Sequence, residues 1–232
     1  MEPVTFIEPN DGFLQEVKLI AHENNALLIF DEVITGFRMN IGGAQAHFSV
    51  IPDLACFGKA MANGYPMCAL VGRAEIMSVF EKAFFSGTFG AELVSISASM
   101  ATIQAIEERG TLEHINAMGL RLKDGYNDIA RSLGLSHLTK MIGYGWWPEY
   151  LFYDDHGNLC LERQSLFQQE IVRRGILTRA GMFLCGSHQV TDIDKTLEVF
   201  QDSLAIVGAA VEAGKVLEWL DGDVLEPVIR SK

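Results

Sequence analysis

Two adjacent carboxylates, Asp31 and Glu32, follow a wholly apolar run at residues 26–30. An unbroken run of this length predicts a strand buried on both faces, as in a parallel sheet. Ligands of parallel α/β sheets bind beyond the carboxyl ends of the strands, where these two carboxylates would stand. A carboxylate there can hold magnesium beside a nucleotide, or pair with the ring nitrogen of a bound cofactor. The pair can equally be the solvated end of a strand.

The nucleotide interpretation requires a phosphate-binding loop of the form GxxxxGK[ST] upstream of the acidic strand. No such loop occurs in the sequence. The pair Gly58-Lys59 comes after the acidic strand and is followed by Ala60, which is neither serine nor threonine. The order of these features therefore disfavours a P-loop NTPase.

A lysine, Lys59, stands at the end of a second short apolar segment, residues 54–57, directly after Gly58. Small residues and a glycine follow it. Taken alone, a lysine at the end of a strand is most often a solvated surface residue. Its type and its place do not by themselves assign it a chemical role.

The elements that must position these residues alternate between helix and strand. Apolar spacing predicts one helix and three short strands, at residues 12–25, 26–30, 54–57 and 68–71. A well-buried helix is predicted next, at residues 91–109, and Gly110 marks a domain boundary. Helix followed by buried strand indicates a mostly parallel sheet in an α/β domain.

Beyond the boundary the pattern changes. One apolar stripe predicts a long amphipathic helix over residues 112–133, ending at Gly134. Strand-like pieces then alternate with helices, at residues 150–153, 164–174, 176–178 and from Asp192 onward. This is the pattern of an α+β domain.

Three blocks follow one another along the first half of the chain. They are Asp31-Glu32-Val33 with Thr35-Gly36-Phe37-Arg38 and Gly42-Gly43-Ala44-Gln45; Pro52-Asp53-Leu54 with Gly58-Lys59; and Phe85-Ser86-Gly87-Thr88-Phe89-Gly90. In this order they resemble the class III aminotransferases, which depend on pyridoxal phosphate, and most of all the glutamate-1-semialdehyde 2,1-aminomutase-like group. The resemblance implies part of a fold type I PLP-binding large domain at residues 1–110 and a smaller α+β C-terminal domain at 111–232.

The resemblance also implies roles for four residues. Asp31 would pair with the pyridinium nitrogen of the cofactor, Val33 would pack against its ring, and Lys59 would form the Schiff base. Thr88 would bind the cofactor phosphate in the site of the neighbouring subunit of a homodimer, although a simple glycine-rich turn is its alternative. The implied reaction moves an amino group between a small-molecule donor and a keto or aldehyde acceptor. No metal site is implied.

The sequence departs from the family in two ways. Family members carry an N-terminal half that is missing here, and Met1-Glu2-Pro3-Val4 resembles a segment inside their fold, so the resemblance implies only the C-terminal portion. The chain is then either an amino-transfer enzyme, as a homodimer or paired with the missing half, or an incompetent fragment or split-enzyme subunit that acts as an interaction partner. Ala62-Asn63-Gly64 replaces a glycine-richer stretch of the aminomutases, which favours intermolecular transfer over the isomerase reaction.

Arg38 and Arg179 are candidates for binding a substrate carboxylate.

The composition excludes some classes of binding partner. A formal net charge of -12 leaves no basic face for nucleic acid or for an anionic membrane. The four cysteines have no zinc or disulfide spacing, which is typical of a reducing cytoplasm. No leader pattern and no apolar run long enough to span a bilayer is present, so we expect a cytoplasmic protein with small-molecule substrates.

Overall fold

The computed structural model describes residues 8–84, 86–90 and 92–226. The chain divides into two compact units, one through Glu113 and the other from His114. Among the described helices, none combines the length and the apolar character needed to cross a bilayer. The two units are described separately below.

The first unit alternates short helices and short strands. In chain order it contains α1 (Phe13–Glu23), β1 (Ile29–Asp31), α2 (Gly43–His47), β2 (Leu54–Phe57), a first 3₁₀ turn (Lys59–Ala62), β3 (Ala69–Gly72), α3 (Ala74–Met77), a second 3₁₀ turn (Ser78–Glu81) and α4 (Leu93–Glu108). The helix and the three strands predicted from apolar spacing are all present, because each is an apolar run bounded by glycine or polar residues. The prediction that the first strand is buried on both faces is wrong: Phe30 is buried, but Leu27 and Ile29 are 51% and 54% exposed.

The three strands form one sheet in the order β1-β2-β3. Strands β1 and β2 are parallel, with Asp31 opposite Cys56, and β3 runs antiparallel to β2. The buried core of this unit joins α1, the sheet and the first 3₁₀ turn through Leu14, Phe30, Val50, Ala55, Phe57, Met61 and Ala62. Since β1 and β2 are parallel, their carboxyl ends lie at the same end of the sheet.

Helix α4 is present, but the prediction that it is well buried is wrong. Of its described residues, only Ser95, Ser99 and Ile106 are buried, while Leu93 and Met100 are 75% and 69% exposed. The helix is apolar on nearly every side, so its periodicity does not indicate which face packs. Ala91, which the prediction included, lies outside the described residues.

The second unit has the α+β arrangement expected from the sequence. After α5 (Thr111–Ser132), it contains β4 (Thr139–Tyr144), β5 (Trp147–Phe152), α6 (Leu161–Arg173), α7 (Val190–Glu212) and a 3₁₀ turn (Leu217–Trp219). Strands β4 and β5 form an antiparallel hairpin. The predicted strand at 176–178 is wrong: pairing with β5 begins later, where the Tyr150 N–H donates to the Ala180 carbonyl at 3.2 Å and the Met182 N–H donates to the Pro148 carbonyl at 2.9 Å.

Four buried aromatic rings form the centre of the second unit. They belong to Tyr126, Tyr150, Phe167 and Phe200, and neighbouring ring centroids lie 4.9 to 6.4 Å apart. The Tyr126 hydroxyl is hydrogen-bonded to the Thr139 hydroxyl at 2.6 Å, and burial raises the pKa of Tyr126. The Tyr150 hydroxyl donates to the Gln168 side chain at 2.5 Å, and burial raises the pKa of Tyr150 as well. Both tyrosine hydroxyls of this core are therefore neutral and hydrogen-bonded, as a packed interior requires.

Helix α5 approaches the turn between β4 and β5 at Gly119. A Cβ atom on Gly119 would lie 1.5 Å from the carbonyl oxygen of Gly145, a backbone atom that cannot move aside. We therefore expect Gly119→Ala to lower the free energy of unfolding by about 3 kcal/mol, although alanine is the better helix former. The matched control is Gly125→Ala on the same helix, whose Cβ would meet the flexible Leu197 side chain at 2.6 Å. Urea denaturation of both variants checks this, and equal stabilities would refute it.

Candidate functional site at the carboxyl ends of the parallel strands

Asp31 and Lys59 lie at the same end of the sheet. Asp31 is the last residue of β1 and pairs with Cys56 of β2, whereas Lys59 follows the last residue of β2, Phe57, after Gly58. Both side chains are exposed. The structure therefore places the predicted acid and the predicted amine beyond the carboxyl ends of two neighbouring parallel strands.

The backbone at Lys59 adopts the left-handed conformation, with a φ of 43°. The residue follows an extended Gly58 and begins the first 3₁₀ turn. A left-handed conformation costs a residue with a Cβ about 1 kcal/mol, and such strain concentrates at functional sites. Within the described chain the amine of Lys59 has no hydrogen-bond or ion-pair partner. Its position is thus fixed by the backbone while its amine stays available.

Val33 lies between the acid and the segment that carries the lysine. Its backbone N–H donates to the Asp31 carboxylate at 3.0 Å. A Cβ atom built on Gly58 would lie 3.5 Å from Cγ1 of Val33 and 3.9 Å from Cβ of Cys68. The half-buried Val33 side chain therefore packs toward Gly58, the residue before Lys59, so three of the four predicted site residues come together.

Glu32, the second carboxylate of the pair, does not face this end of the sheet. Its side chain is fully buried and accepts hydrogen bonds from the backbone N–H groups of Ala44 at 2.7 Å and Gln45 at 2.8 Å, and from the Thr35 hydroxyl. Successive residues of an extended strand project to opposite sides, so an inward Glu32 turns Asp31 outward. This burial was not predicted from the sequence, although the nearby Gly42-Gly43 pair was an available signal of close backbone approach.

The fourth predicted site residue, Thr88, is exposed in the turn at residues 88–90, where the Gly90 N–H donates to the Gly87 carbonyl at 3.0 Å. Among the described residues, no hydrogen bond joins it to the other three. Phe85, which begins its predicted block, lies outside the described residues. The two arginines predicted to bind a substrate carboxylate fall in different units, Arg38 half-buried in the first and Arg179 exposed in the second.

A buried aspartate, Asp53, stabilises the opposite end of the same strands. Its carboxylate lies 2.8 Å from Nε2 of His22, accepts the Leu28 N–H at 2.8 Å, and receives a hydrogen bond from Arg73 at 3.1 Å. These contacts, led by the Leu28 N–H, lower the pKa of Asp53 to about 2. Asp53 therefore ties α1 and the starts of β1 and β2 to the end of β3, and so stabilises the two strands whose opposite ends carry Asp31 and Lys59. In the sequence, Asp53 stood out only as a member of the block Pro52-Asp53-Leu54.

The depressed pKa of Asp53 predicts acid sensitivity of the first unit. Its folded-state pKa lies below the ordinary value, so its contribution is complete near neutral pH and is lost as the pH falls from about 4 toward 2. We expect Asp53→Asn to cost about 2 kcal/mol at pH 7 and to flatten that acid dependence. Hydrogen exchange of first-unit amides across pH checks this, with Asp128→Asn, an exposed partner of Arg131, as the control. An unchanged pH profile in Asp53→Asn would contradict the prediction.

The fold and this site define a class: an α/β domain with a carboxylate and a lysine at the carboxyl ends of adjacent parallel strands, followed by an α+β unit. A family model described as aminotransferase class-III matches residues 4–144. The chain belongs to the class III aminotransferase family. This confirms the resemblance drawn from the three sequence blocks.

Relatives and solved structures agree with this assignment. The chain is 37% identical over 216 residues to the glutamate-1-semialdehyde 2,1-aminomutase of Methanothrix thermoacetophila, covering 87% of this chain and 50% of that protein. It is 34% identical over 202 residues to the 3-aminobutyryl-CoA aminotransferase of Cloacimonas acidaminovorans, covering 86% and 48%. The structure matches the PLP internal aldimine form of the FumI protein of Sphingopyxis sp. MTA144 with a TM-score of 0.78 at 28% identity, over 87% of this chain and 48% of that one. The predicted fold class is thereby confirmed, and the chain spans about half the length of the curated relatives it matches.

Proposed function

We propose that this chain carries the cofactor-binding lysine and aspartate of a pyridoxal-phosphate-dependent aminotransferase. The single observation that supports the proposal most is the placement of Asp31 and Lys59 beyond the carboxyl ends of adjacent parallel strands. Family membership supports pyridoxal phosphate as the cofactor. The proposed reaction transfers an amino group between a small-molecule donor and a keto or aldehyde acceptor.

The residues present fit this cofactor chemically. Pyridoxal phosphate offers a ring nitrogen that pairs with a carboxylate, an aldehyde that reacts with an amine, and a flat ring that packs on aliphatic carbon. Asp31 supplies an exposed carboxylate, Lys59 an exposed amine and Val33 an aliphatic side chain beside them. Gly58 lies beside Val33, and a Cβ there would already be in van der Waals contact with Val33 Cγ1 at 3.5 Å.

When bound, the cofactor would supply an electron-accepting ring that stabilises negative charge at the substrate Cα. Asp31 would hold a proton on the ring nitrogen through its negative charge. Lys59 would hold the cofactor covalently. Once the substrate amine displaces it, its Nζ atom would take a proton from the substrate Cα and deliver it to carbon C4′ of the cofactor. Val33 would fix the plane of the ring by packing against it.

Further roles complete the proposal. Thr88 would bind the cofactor phosphate across the interface of a homodimer, and Arg38 or Arg179 would hold a substrate carboxylate. Residues 1–110 and 111–232 would be parts of the large and small domains. Transfer between two molecules is favoured over the isomerase reaction by Ala62-Asn63-Gly64, and a cytoplasmic location remains a prediction from composition.

Titration of the purified chain with pyridoxal phosphate tests the proposal. We expect a saturable visible absorbance band in the wild-type protein that is absent in a Lys59→Met variant, because methionine keeps much of the length but has no amine. Lys195→Met, an exposed residue on α7, is the matched control and should keep the band. No saturable band in the wild-type protein would reject cofactor binding by this chain.

A second candidate function is that of a non-catalytic interaction partner, either a fragment or a subunit of a split aminotransferase. The observation that favours it is the apolar surface of the first unit, where Leu27, Ile29 and Val71 are 51%, 54% and 46% exposed. The described sheet also ends in β1 on one side and β3 on the other, and unpaired strand edges invite pairing. The same titration separates the candidates, because an interaction partner without catalytic function would give no saturable band.

A further inference from the structure

We propose that Glu32 is a positioning residue that holds Asp31 and Val33 in the orientation needed to meet the cofactor. This inference rests on the proposed function, because it assigns Glu32 a task only if Asp31 and Val33 contact a bound cofactor ring. The geometry that supports it involves the Glu32 side chain, the Thr35 hydroxyl and the backbone around them.

The Glu32 side chain closes the loop that follows β1. Its carboxylate accepts three hydrogen bonds, from the Thr35 hydroxyl within the loop and from the N–H groups of Ala44 and Gln45 at the start of α2. One fully buried group thus ties residue 32 to a segment 12 and 13 positions later in the chain. A buried carboxylate that accepts several hydrogen bonds has little freedom to move.

The backbone of Glu32 is held as firmly as its side chain. Its N–H donates to the Cys56 carbonyl of β2 at 2.8 Å, and its carbonyl accepts the Gly36 N–H at 2.8 Å. The Glu32 N–H therefore closes the last parallel pair of the two strands, Asp31 with Cys56. Because Asp31 and Val33 are the neighbours of Glu32 in the chain, fixing Glu32 fixes the backbone on both sides. Strand alternation then turns Asp31 away from Glu32, and the turn that begins at Val33 lets the Val33 N–H donate to the Asp31 carboxylate at 3.0 Å.

Gly43 supplies independent support for a built arrangement. Its φ is 76°, and a Cβ atom there would lie 2.6 to 2.8 Å from three atoms of the Glu32 carboxyl group. Only glycine allows α2 to approach the carboxyl group this closely in a left-handed conformation. A glycine at position 43 is therefore needed for the Glu32 carboxyl group to reach the start of α2.

Three variants test the positioning role. Glu32→Gln keeps the volume but presents an NH₂ group to a backbone donor, and Thr35→Val removes one hydroxyl donor while keeping the shape. Glu170→Gln is the matched control, since Glu170 is also a buried carboxylate with hydrogen-bond partners, on α6 of the other unit. The measurements are the Kd for pyridoxal phosphate, the visible circular dichroism of the bound cofactor, which reports its orientation, and the thermal unfolding midpoint.

We expect Glu32→Gln to raise the Kd about tenfold and to weaken the visible circular dichroism, and Thr35→Val to do the same to a smaller degree, about threefold in Kd. Glu170→Gln should lower the unfolding midpoint and leave both cofactor signals unchanged. Should Glu32→Gln fail to fold, Thr35→Val decides. If the folded variants keep the wild-type Kd and dichroism, the positioning role is wrong while the proposed function stands. If the wild-type chain gives no saturable binding, the proposed function fails and this inference fails with it.

Discussion

Replacing Lys59 with alanine is expected to reduce amino transfer by about 10⁴-fold, the largest effect of any single substitution in this chain. Under the proposed function, the substitution would remove both the covalent attachment of the cofactor and the group that moves the proton at the substrate Cα. The measurement is the rate of product formation from an amine donor and a keto acid, with pyridoxal phosphate in excess. A small primary amine added to the assay should restore part of the rate, because it replaces the missing proton carrier.

Lys195→Ala is the control for this variant, since Lys195 is an exposed lysine on α7 in the second unit. It should keep the wild-type rate. The backbone of Lys59 is left-handed, and alanine in that conformation carries the same steric strain as lysine. The substitution should therefore leave the stability of the fold unchanged. A Lys59→Ala protein that retained most of the wild-type rate would rule out Lys59 as the catalytic lysine.

Asp31→Asn is expected to reduce the same rate by about 10²- to 10³-fold, the second largest effect. Asparagine keeps the size of the side chain and can still accept the Val33 N–H, so the local backbone should persist. What it lacks is the negative charge that, under the proposed function, would keep the cofactor ring nitrogen protonated. The effect should therefore fall on the chemical step rather than on covalent attachment to Lys59.

The control for the charge is Asp128→Asn, which removes an exposed carboxylate from α5 that pairs with Arg131. Its rate should equal that of the wild-type protein. A sharper test separates covalent attachment from stabilisation of the ring nitrogen. After incubation with pyridoxal phosphate and reduction with borohydride, Asp31→Asn should still carry the cofactor on Lys59, whereas Lys59→Ala should carry none at that position. An Asp31→Asn protein with an unchanged rate would contradict the role proposed for Asp31.

The placement of Asp31 and Lys59 could be predicted from the sequence because both follow short apolar runs. Residues 54–57 form β2 as predicted, and β1 ends at Asp31, one residue beyond the predicted strand. Parallel pairing of two such strands brings their ends together without any knowledge of side-chain contacts. The resemblance to class III aminotransferases depended on the same residues, and the family assignment confirms it.

The difference in burial between the exposed Asp31 and the buried Glu32 could not be predicted in the same way. A carboxylate pair at a strand end looks alike whether one member is buried or both are solvated. Burial of Glu32 depends on the N–H groups of Ala44 and Gln45, which the chain brings back only after folding. The role of Asp53 likewise depends on partners from α1 and from the end of β3.

The exposed apolar face of α4 shows a second limit of sequence reasoning. Apolar residues on every side of a helix predict burial, but they do not say which chain segment covers each side. In the second unit, β4 was missed for a different reason, because Thr139–Tyr144 is a short mixture of polar and apolar residues that becomes a strand by pairing with β5. Non-local pairing of this kind is the part of a fold that local patterns describe least well.

Reductive labelling tests the central claim most directly. The wild-type chain is incubated with pyridoxal phosphate, reduced with borohydride, digested and mapped by mass spectrometry. One stoichiometric pyridoxyl group is expected on Lys59, with Lys195 and the other lysines unlabelled at low reagent concentration. Labelling of a different lysine, or of none, would contradict the assignment of Lys59 as the residue that holds the cofactor.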